Sequence, residues 1–458
     1  MDIIINYKEI NDAIHGSIKI SNIACMVIDT LHFQRLKYLH QLGACHYVFP
    51  SATHTRFEHS IGTYYLVGKV LDNIKNNSDQ NNINKWLSDI PELTDYYKNK
   101  NDTYFKLDIF VCELVKIAGL CHDLGHGPFS HVFDDVFIKS MNKSENPLNH
   151  HENRSIMIIN HIVNSNGLLK EMIGENELNF IKKLINPTDQ DNGFIFQIVS
   201  NNLNSIDVDK FDYIMRDTKT LGLNYGNDCL RIIDDMKVID NIICYPAKIY
   251  YDIMSIFKTR YRLHKQIYCH KVVISIQYMI NDIMILLDPI VKFYDMIFDL
   301  DKFSDLTDDY VISTLKFLYH NKENYTKEQQ KNINDAYVLW LRINTRQLYK
   351  FIGTIVSDKE IELTAEQFSE IDPNNILVHQ IKIGFVSGKK DNPLSNTYFY
   401  KKKIPNKSFK ITKEQISYLI PNIYQEYIYV VFIKNNNIVL EESVKNTFNE
   451  IQSKIIKS

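Results

Sequence analysis

An apolar helical segment that stops at a histidine–aspartate pair constrains the fold of this chain more than any other feature. Over residues 108–120 the apolar side chains recur at mixed intervals of three and four, which is the period of a buried helix. His122 and Asp123 end the segment, and two glycines and Pro128 follow. Because proline fits the first position of a helix, we expect a second helix over residues 128–138. The sequence therefore predicts a buried helix with polar groups at its end, close to a second helix.

The rest of the chain predicts a mainly α protein with a smaller C-terminal α+β lobe. Only 15 Gly and 11 Pro interrupt 458 residues, which suits long helices, and one long periodic stretch covers residues 261–287. From about Ile376 the texture changes to short β-branched and aromatic runs separated by Gly, Asn and Lys, which is typical of strands. We predict a helical domain over residues 1–320 and a mixed α/β lobe over residues 321–458.

The composition excludes several classes of protein. Lys and Arg total 52 against 55 Asp and Glu, a formal net charge of -3, so a chain-wide basic surface for nucleic acid is absent. A local pocket of a few cations for phosphate remains compatible with this sum. The seven cysteines are odd in number and never spaced as Cys-x-x-Cys, which favours reduced thiols. Without a signal peptide or a long apolar run, we expect an intracellular protein, cytoplasmic or nuclear, with no membrane segment.

The densest chemical signal begins at the end of the first helix. His122, Asp123, His126, His131 and Asp134 fall within thirteen positions. A metal ion beyond the end of a helix can accept two adjacent side chains, such as those of His122 and Asp123. A single histidine is more often a packed, hydrogen-bonded residue than a ligand, so the prediction depends on the combination.

Two residues elsewhere complete a ligand set. They are His59, in Thr-Arg-Phe-Glu-His-Ser, and Asp209, in Ile-Asp-Val-Asp-Lys. Two imidazoles and two carboxylates suit Mn, Mg or Fe and are compatible with Zn. Such an ion lowers the pKa of bound water and stabilises charge on a phosphoryl oxygen. Hydrolysis of a phosphate ester is the chemistry that this set favours.

At these residues the sequence resembles the HD-domain phosphohydrolases, and within them the deoxynucleoside triphosphate (dNTP) triphosphohydrolases that carry a SAM domain before the HD domain. The matching stretches keep the family's order and nearly its spacing; they are residues 11–16, 33–43, 47–50, 56–59, 118–133, 206–217 and 221–223, with weaker similarity over 405–421. The resemblance spans essentially the whole chain, and it covers the family's catalytic core and C-terminal lobe without a counterpart of the SAM domain.

The resemblance implies a metal-dependent enzyme that hydrolyses a dNTP to a deoxynucleoside and inorganic triphosphate. It makes His59, His122, Asp123 and Asp209 the metal ligands, in agreement with their chemistry. His131 and Asp134 match a catalytic pair, in which the carboxylate orients an imidazole that protonates the leaving 5′-oxygen. His151 matches a histidine that contacts the phosphate. His126 matches a histidine near the phosphates, and a structural role for it is equally open.

The resemblance also implies the residues that bind the substrate. The phosphate-contacting cations are Arg56, Lys210 and Arg260, although an ordinary ion pair with a neighbouring aspartate is an alternative for Lys210. The sugar pocket consists of Gln41, Leu42, Tyr213, Asp217 and Tyr268, with core packing as the alternative for Leu42 and Tyr268. Packing against C2′ leaves no room for a 2′-hydroxyl, which would reject ribonucleotides.

The family's enzymes assemble as tetramers through nucleotides at two allosteric sites, and the match is weaker there. At the first site Asp29 and Gln34 match, Lys37 replaces an arginine that reads guanine, and Lys8 matches a phosphate contact. We therefore expect activation by GTP or dGTP, with the bidentate geometry of the arginine lost. The residues that match the second site are Val48, Phe49, Arg231, Lys248, His270, Lys271 and Lys434. Pro246, Asp252 and Gln266 stand where the family has Arg, Asn and Arg, so we expect a weakened second site.

Two other functions stay open on the sequence alone. One is a different HD-type nucleotidase or phosphodiesterase, and the other is a catalytically silent HD protein that binds nucleic acid or acts as a scaffold. The partners that we expect are dNTP substrates, nucleotide activators with Mg on the nucleotide, and further copies of the chain in a dimer or tetramer. Weak binding of single-stranded nucleic acid is a further expectation.

Overall fold

The apolar segment that ends at the histidine–aspartate pair forms a central helix. It runs from Ile109 to Cys121, and the side chain of Asp108 caps it by accepting a hydrogen bond from the Val111 amide at 3.0 Å. Nine of its thirteen residues are buried, as the apolar pattern predicts. The structure, a computed structural model, describes residues 6–98, 105–141, 143–225, 229–368, 371–385, 392–412, 415, 423–434 and 438–457. The weaker family similarity over residues 405–421 lies partly outside this set.

The helices account for most of the described chain, in agreement with the predicted fold class. The α-helices of four or more residues are, in chain order, α1 Asn22–Ile28, α2 Leu31–Gln34, α3 Arg56–Asn77, α4 Gln80–Ser88, α5 Thr94–Lys98, α6 Ile109–Cys121, α7 His151–Ser165, α8 Gly167–Met172, α9 Glu175–Ile185, α10 Val208–Thr220, α11 Leu230–Asp234, α12 Tyr250–Leu263, α13 Lys271–Val291, α14 Leu300–Asp305, α15 Asp308–His320, α16 Lys327–Asn344 and α17 Ile438–Lys457. Two π-helical segments, Val132–Phe137 and His264–Tyr268, lie between them. Helices α3, α6 and α10 pack together and form the frame of the site.

The strands form three sheets. They are β1 Tyr7–Asp12, β2 Gly16–Ser21, β3 Lys237–Ile239, β4 Ile242–Pro246, β5 Lys350–Ser357, β6 Ile376–Gly384, β7 Tyr398–Lys401, β8 Ile404–Lys410 and β9 Gln425–Ile433. Strands β1 and β2 pair as an antiparallel hairpin, β5, β9 and β6 form an antiparallel sheet in that order, and β3, β4, β7 and β8 form a third sheet. The mixed C-terminal lobe that the sequence predicts is therefore present.

The two predicted domains are joined by a common sheet and by helix packing. Strand β4 pairs in parallel with β7, with Cys244 opposite Tyr398, so the third sheet joins residues on both sides of position 320. Helix α16, which follows that position, packs against α13 and α15. A division of the chain into residues 1–320 and 321–458 stays a prediction.

Two of the predicted helices differ from those in the structure. Residues 128–130 form a turn instead of the start of a helix, because Phe129 and Ser130 both have a φ of 56°, and L-residues in this region cannot continue a right-handed helix. The periodic stretch over residues 261–287 is divided at Cys269 and His270, where the π-helix His264–Tyr268 ends and the His270 side chain caps α13. Both differences lie beside the site described below.

Helix α13 forms part of the interior. Among the described residues it is the one helix that is long and apolar enough to cross a membrane, and 61% of its most apolar stretch is buried inside the fold.

Candidate metal centre and active-site cleft

Four predicted ligands from three helices meet at the end of α6. His122 and Asp123 follow α6, His59 lies in the first turn of α3, and Asp209 lies in the first turn of α10. The Nε2 atom of His59 is 3.1 Å from Asp209 Oδ1 and 3.6 Å from Asp123 Oδ2. The Nε2 atom of His122 is 3.3 Å from Asp123 Oδ1 and 3.5 Å from Asp209 Oδ1. Donor atoms of His59, His122 and Asp123 lie within 4.8 Å of one another, and Asp209 Oδ1 is close to both imidazoles. The four residues are therefore placed to share a single ion.

Hydrogen bonds fix both ligand histidines in the form that binds a metal. His59 Nδ1 is 2.7 Å from Asp212 Oδ2, and His122 Nδ1 is 2.8 Å from the Gly119 carbonyl oxygen. Each Nδ1 therefore carries a proton, which leaves Nε2 as the atom that faces the centre. The neighbouring aspartates raise the pKa of both imidazoles against the effect of burial, so a metal ion would bind Nε2 in exchange for its proton. The Nε2 atom of His122 is buried and has no hydrogen-bond partner within the described part of the chain. Buried polar atoms without a partner are rare, so the residues fit a metal ion at this point.

Both ligand carboxylates are ionised. Burial raises the pKa of an aspartate, but the neighbouring His122 and Arg56 hold the pKa of Asp123 well below its ordinary value. His122 and His59 likewise lower the pKa of Asp209. Two carboxylates that remain charged under neighbouring cations are suited to bind a divalent ion.

A buried ionic network supports His59 from behind. The Asp212 carboxylate accepts hydrogen bonds from His15 Nε2 at 2.6 Å, from His59, and from Arg216 Nε at 2.8 Å. Arg216 also donates to Asp12 Oδ2 at 2.9 Å, so the β1–β2 hairpin takes part in the network. Gly62 makes room for it, because a Cβ there would lie 1.9 Å from Asp212 Oδ1. Although burial opposes it, Arg216 keeps the pKa of Asp212 well below its ordinary value.

The predicted pairing of His131 with Asp134 is wrong. Asp134 Oδ2 lies 2.6 Å from His126 Nδ1, and its other oxygen accepts a hydrogen bond from the buried Arg154. His131 Nδ1 instead lies 3.1 Å from Asp135 Oδ2. The site therefore contains two histidine–aspartate pairs: His126–Asp134 is buried, and His131–Asp135 is exposed, with 66% of the His131 side chain accessible.

The backbone before His131 explains the exchange of partners. The left-handed turn at Phe129 and Ser130 is followed by the π-helix Val132–Phe137, so the α-helical spacing that would place His131 over Asp134 does not apply. The turn is held from outside the segment. Asp308 accepts a hydrogen bond from the Phe129 amide at 2.5 Å, and Ser130 Oγ donates to the His40 carbonyl at 2.8 Å.

His151 lies against His126. Their rings stack with centroids 3.8 Å apart. Burial lowers the pKa of His151 well below its ordinary value, and the adjacent His126 lowers it further, so His151 is neutral at pH 7. Donor atoms of Asp123, His126 and His151 also lie within 4.8 Å of one another. The imidazoles predicted to face the phosphates therefore adjoin the metal centre.

A cleft of about 520 Å³ opens from the metal centre. The three predicted cations line it and are almost fully buried. Arg56 pairs with Asp123 and donates through Nε to Ser130 Oγ at 2.9 Å, Lys210 lies 3.4 Å from Asp207, and Arg260 donates to the Gly384 carbonyl at 2.7 Å. Burial lowers the pKa of Lys210, but Asp207 more than offsets this and the pKa is raised. Lys210 therefore lines the cleft and also pairs with Asp207, so the two alternatives given for this residue do not exclude each other.

The predicted sugar-pocket residues line the same cleft; they are Gln41, Leu42, Tyr213, Asp217 and Tyr268. The Tyr268 hydroxyl donates to Asp217 Oδ2, and His54 Nε2 lies 2.7 Å from Asp217 Oδ1. Leu42 and Tyr268 are half-buried and also contact the core, so packing and a place in the cleft are compatible. Burial raises the pKa of Tyr268 well above its ordinary value, and Asp217 adds to this effect.

The residues predicted for the first allosteric site lie together on the surface. Lys8 Nζ is 3.3 Å from Asp29 Oδ2, and Lys37 Nζ is 2.6 Å from Gln34 Oε1. Gln34 in turn donates to the Ile28 carbonyl, next to Asp29. The four side chains therefore form one cluster around the end of α1.

The residues predicted for the second allosteric site are dispersed over the chain. Phe49, next to Val48, packs edge to face on His270, and the Lys271 ammonium lies over the Phe351 ring. Lys248 pairs with Asp235 and Lys434 with Asp282, both at 2.6 Å. Asp252, at a position where the family has Asn, lies 3.6 Å from Arg231. Pro246 lies in β4, and Gln266 accepts a hydrogen bond from Tyr225 at 3.3 Å.

Several residues of the site escaped prediction from the sequence. Asp135 pairs with His131, four positions before it. Asp212, Arg154 and His54 contact predicted residues from more distant parts of the chain. His264 lines the cleft, and burial lowers its pKa well below the ordinary value, with Arg260 acting in the same direction. A signal for His264 did exist, because it lies four residues after Arg260 and four before Tyr268, on one helical face.

Comparison with known proteins gives the class of the chain. A family model described as the HD domain matches residues 56–214, which contain the four ligand residues. Together with the relatives below, this shows that the chain belongs to the HD-domain family, whose fold binds a divalent metal ion at histidine and aspartate residues.

Three relatives narrow the position of the chain within the family. It is 37% identical over 430 residues to the deoxynucleoside triphosphate triphosphohydrolase SAMHD1 homolog of Dictyostelium discoideum, which covers 92% of this chain and 76% of that protein. It is 32% identical to human deoxynucleoside triphosphate triphosphohydrolase SAMHD1, over 93% of this chain and 70% of that protein. It is also 37% identical to the putative HD domain-containing protein L394 of Acanthamoeba polyphaga mimivirus, over 96% and 95% of the two chains.

Proposed function

We propose that this chain is a metal-dependent dNTP triphosphohydrolase, which converts a dNTP to a deoxynucleoside and inorganic triphosphate. The observation that carries the proposal is that the ligands His59, His122, Asp123 and Asp209 converge at one end of a cleft that also contains buried cations and a polar pocket. The names of the Dictyostelium and human relatives state this activity for those proteins.

The four ligands would hold one divalent or transition metal ion, Fe, Mn, Mg or Zn, with Mg accompanying the nucleotide. When bound, such an ion stabilises charge on a phosphoryl oxygen and lowers the pKa of water. The chain itself supplies the cations for the triphosphate. Arg56, Lys210 and Arg260 line the cleft, and their buried positions strengthen their attraction for phosphate oxygens.

The reaction requires a proton for the leaving deoxynucleoside. Water adds its oxygen to the α-phosphorus and releases a proton to solvent, the bond from phosphorus to the 5′-oxygen breaks, and the 5′-oxygen takes up a proton. We assign the proton to His131. Desolvation in the cleft lowers its pKa, but the hydrogen bond to Asp135 outweighs this and the pKa of His131 is raised. The raised pKa favours the protonated imidazole, which would present Nε2 as a donor.

The remaining histidines orient the phosphates. Asp134 holds Nδ1 of His126 at 2.6 Å, which leaves Nε2 toward the cleft, and His151 stacks on the same ring. At the other end, Gln41, Leu42, Tyr213, Asp217 and Tyr268 would bind the deoxyribose. Asp217 would accept the 3′-hydroxyl, and close packing at C2′ would exclude a ribonucleotide.

The surface cluster at the end of α1 would be the site at which a nucleotide activates the enzyme. Lys8, Asp29, Gln34 and Lys37 would bind GTP or dGTP as an activator, and the second site would be weak because Asp252 already neutralises Arg231.

The active form would be a dimer or tetramer. Single-stranded nucleic acid would bind weakly, and the protein would act in the cytoplasm or nucleus.

The deciding experiment is hydrolysis of each of the four dNTPs and four NTPs by the purified protein with Mn or Mg, with and without GTP or dGTP. Product identification by ³¹P NMR separates the possible functions. Triphosphate together with deoxynucleoside supports the proposal, whereas pyrophosphate or orthophosphate would indicate another nucleotidase or phosphodiesterase. Protein that binds no metal and leaves every nucleotide intact would refute an enzymatic function.

Two variants serve as controls for this experiment. Asp209→Asn removes a ligand charge, so it should lower metal content and rate together. His131→Ala should keep the metal and lose most of the rate, because it removes only the proton donor. Hydrolysis by His131→Ala at the parental rate would contradict the role assigned to His131.

A further inference from the structure

We propose that His54 is a positioning residue that sets the selectivity of the cleft for a 3′-hydroxyl, and this inference rests on the proposed function. His54 lies just before α3 and is 7% exposed. Its side chain holds Asp217, and its backbone holds Gln41. One residue thus fixes two of the groups that would bind the sugar.

The side chain of His54 aligns the Asp217 carboxylate. His54 Nε2 lies 2.7 Å from Asp217 Oδ1, while the Tyr268 hydroxyl donates to Oδ2. Asp217 is 1% exposed, and a buried carboxylate must be satisfied by donors that also fix its plane. Each oxygen therefore has one donor and keeps a second lone pair for a substrate hydroxyl, and His54 and Tyr268 together fix the plane in which these lone pairs lie.

The backbone of His54 positions Gln41. The Gln41 amide donates to the His54 carbonyl oxygen at 3.0 Å, and an isolated bridge pairs His40 with Thr55. The Arg56 amide donates to the Leu39 carbonyl, also at 3.0 Å. Backbone hydrogen bonds therefore join the segment that carries Gln41 and Leu42 to the segment that carries His54, and both segments lead into the cleft.

The free ring atom of His54 indicates which nitrogen carries the proton. His54 Nδ1 is buried and has no hydrogen-bond partner in the described ranges. A buried N–H without an acceptor is rarer than a buried acceptor without a donor. We therefore place a proton on Nε2, so that His54 donates a hydrogen bond to Asp217.

This arrangement has a consequence for substrates. A dNTP would place its 3′-hydroxyl on Asp217, whereas a 2′,3′-dideoxynucleotide would leave the buried carboxylate short of a donor. A site built to bind a hydroxyl rejects the analogue that lacks it. If His54 no longer holds Oδ1, the carboxylate can rotate, and the penalty for the missing hydroxyl falls.

The test compares dTTP with 2′,3′-dideoxythymidine triphosphate, by kcat/KM, for the parent, His54→Gln and His54→Phe. Glutamine can still donate to Asp217, while phenylalanine fills the space without a donor. We expect the parent to prefer dTTP by at least about tenfold, and His54→Phe to reduce this preference at least about tenfold, mainly through the KM for dTTP. His54→Gln should keep the preference within about threefold.

The outcomes separate the two proposals. A parent that hydrolyses dTTP while His54→Phe keeps the full preference would overturn the role of His54 and leave the proposed function intact. A parent that hydrolyses neither nucleotide would refute the proposed function, and the inference with it. If His54→Phe does not fold, His54→Met replaces it, since methionine fills an irregular space without donating a hydrogen bond.

Discussion

Replacing Asp212 with asparagine tests whether the buried network holds His59 ready for a metal ion. Each Asp212 oxygen accepts two hydrogen bonds: His15 and Arg216 Nη2 donate to Oδ1, while His59 Nδ1 and Arg216 Nε donate to Oδ2. Asparagine has one acceptor oxygen, so two donors lose their partner whichever way the amide is turned.

The expected magnitude has two parts. Disrupting a buried ion pair lowers the free energy of unfolding by about 3–5 kcal/mol, and the retained oxygen places Asp212→Asn near the lower end. Loss of the group that orients a ligand histidine weakens metal binding by about 10–100-fold. We therefore expect a lower urea midpoint together with a raised Kd for Mn.

A matched control separates stability from metal binding. Glu113 is also buried, and it accepts hydrogen bonds from Ser21 at 2.6 Å, Tyr64 at 2.8 Å and Lys116 at 2.9 Å, none of which belongs to the metal centre. Glu113→Gln should lower stability without changing the Kd for Mn. Isothermal titration calorimetry on both folded variants decides the question. The reasoning is refuted if Asp212→Asn binds Mn as tightly as the parent.

Three further predictions concern charge and pH. Asp135→Asn removes the partner that raises the pKa of His131. Because the reaction requires the protonated imidazole, the alkaline limb of the pH–rate profile should shift to lower pH. An unchanged profile would exclude His131–Asp135 as the acid. Burial lowers the pKa of His379 to about 4, so this histidine is protonated in the unfolded chain at a higher pH than in the folded protein. The free energy of unfolding should therefore fall as the pH drops from about 6.5 to 4, by at most about 1.4 kcal/mol per pH unit. Urea unfolding at pH 7 and 4.5 should show a smaller loss of stability for His379→Gln than for the parent. Lys37→Arg adds bidentate donors and should lower the GTP concentration for half-activation about tenfold, the equivalent of one added charged hydrogen bond; equal activation curves would argue against guanine reading at this cluster.

The four residues that the sequence predicts as metal ligands lie together in the structure. They could be selected from the sequence because ligand chemistry is carried by residue type. His122 and Asp123 end an apolar helix whose period is visible in the chain, and a helix of that pattern brings its end to a buried place. His59 and Asp209 follow cap signals at the starts of their own helices, where Thr55 and Asp207 precede α3 and α10. The mainly α body and the mixed C-terminal lobe were predicted on the same local periodicities.

The partners of the catalytic histidines could not be predicted, because they depend on contacts from distant parts of the chain. Asp308, 179 positions further along the chain, holds the left-handed turn at Phe129 by a hydrogen bond. Because of that turn, Asp134 contacts His126 and Asp135 contacts His131. His15, Asp212 and His54 likewise act through side chains that only the packed helices bring together.

The sequence by itself therefore determined which residues can bind a metal and the buried helix that ends at His122 and Asp123, since helical period and ligand chemistry are local properties. The tertiary structure alone decided which nitrogen of each ligand histidine faces the centre, which carboxylate pairs with each imidazole, and which residue holds Asp217. These depend on hydrogen bonds between segments far apart in the chain, and burial makes each such bond obligatory.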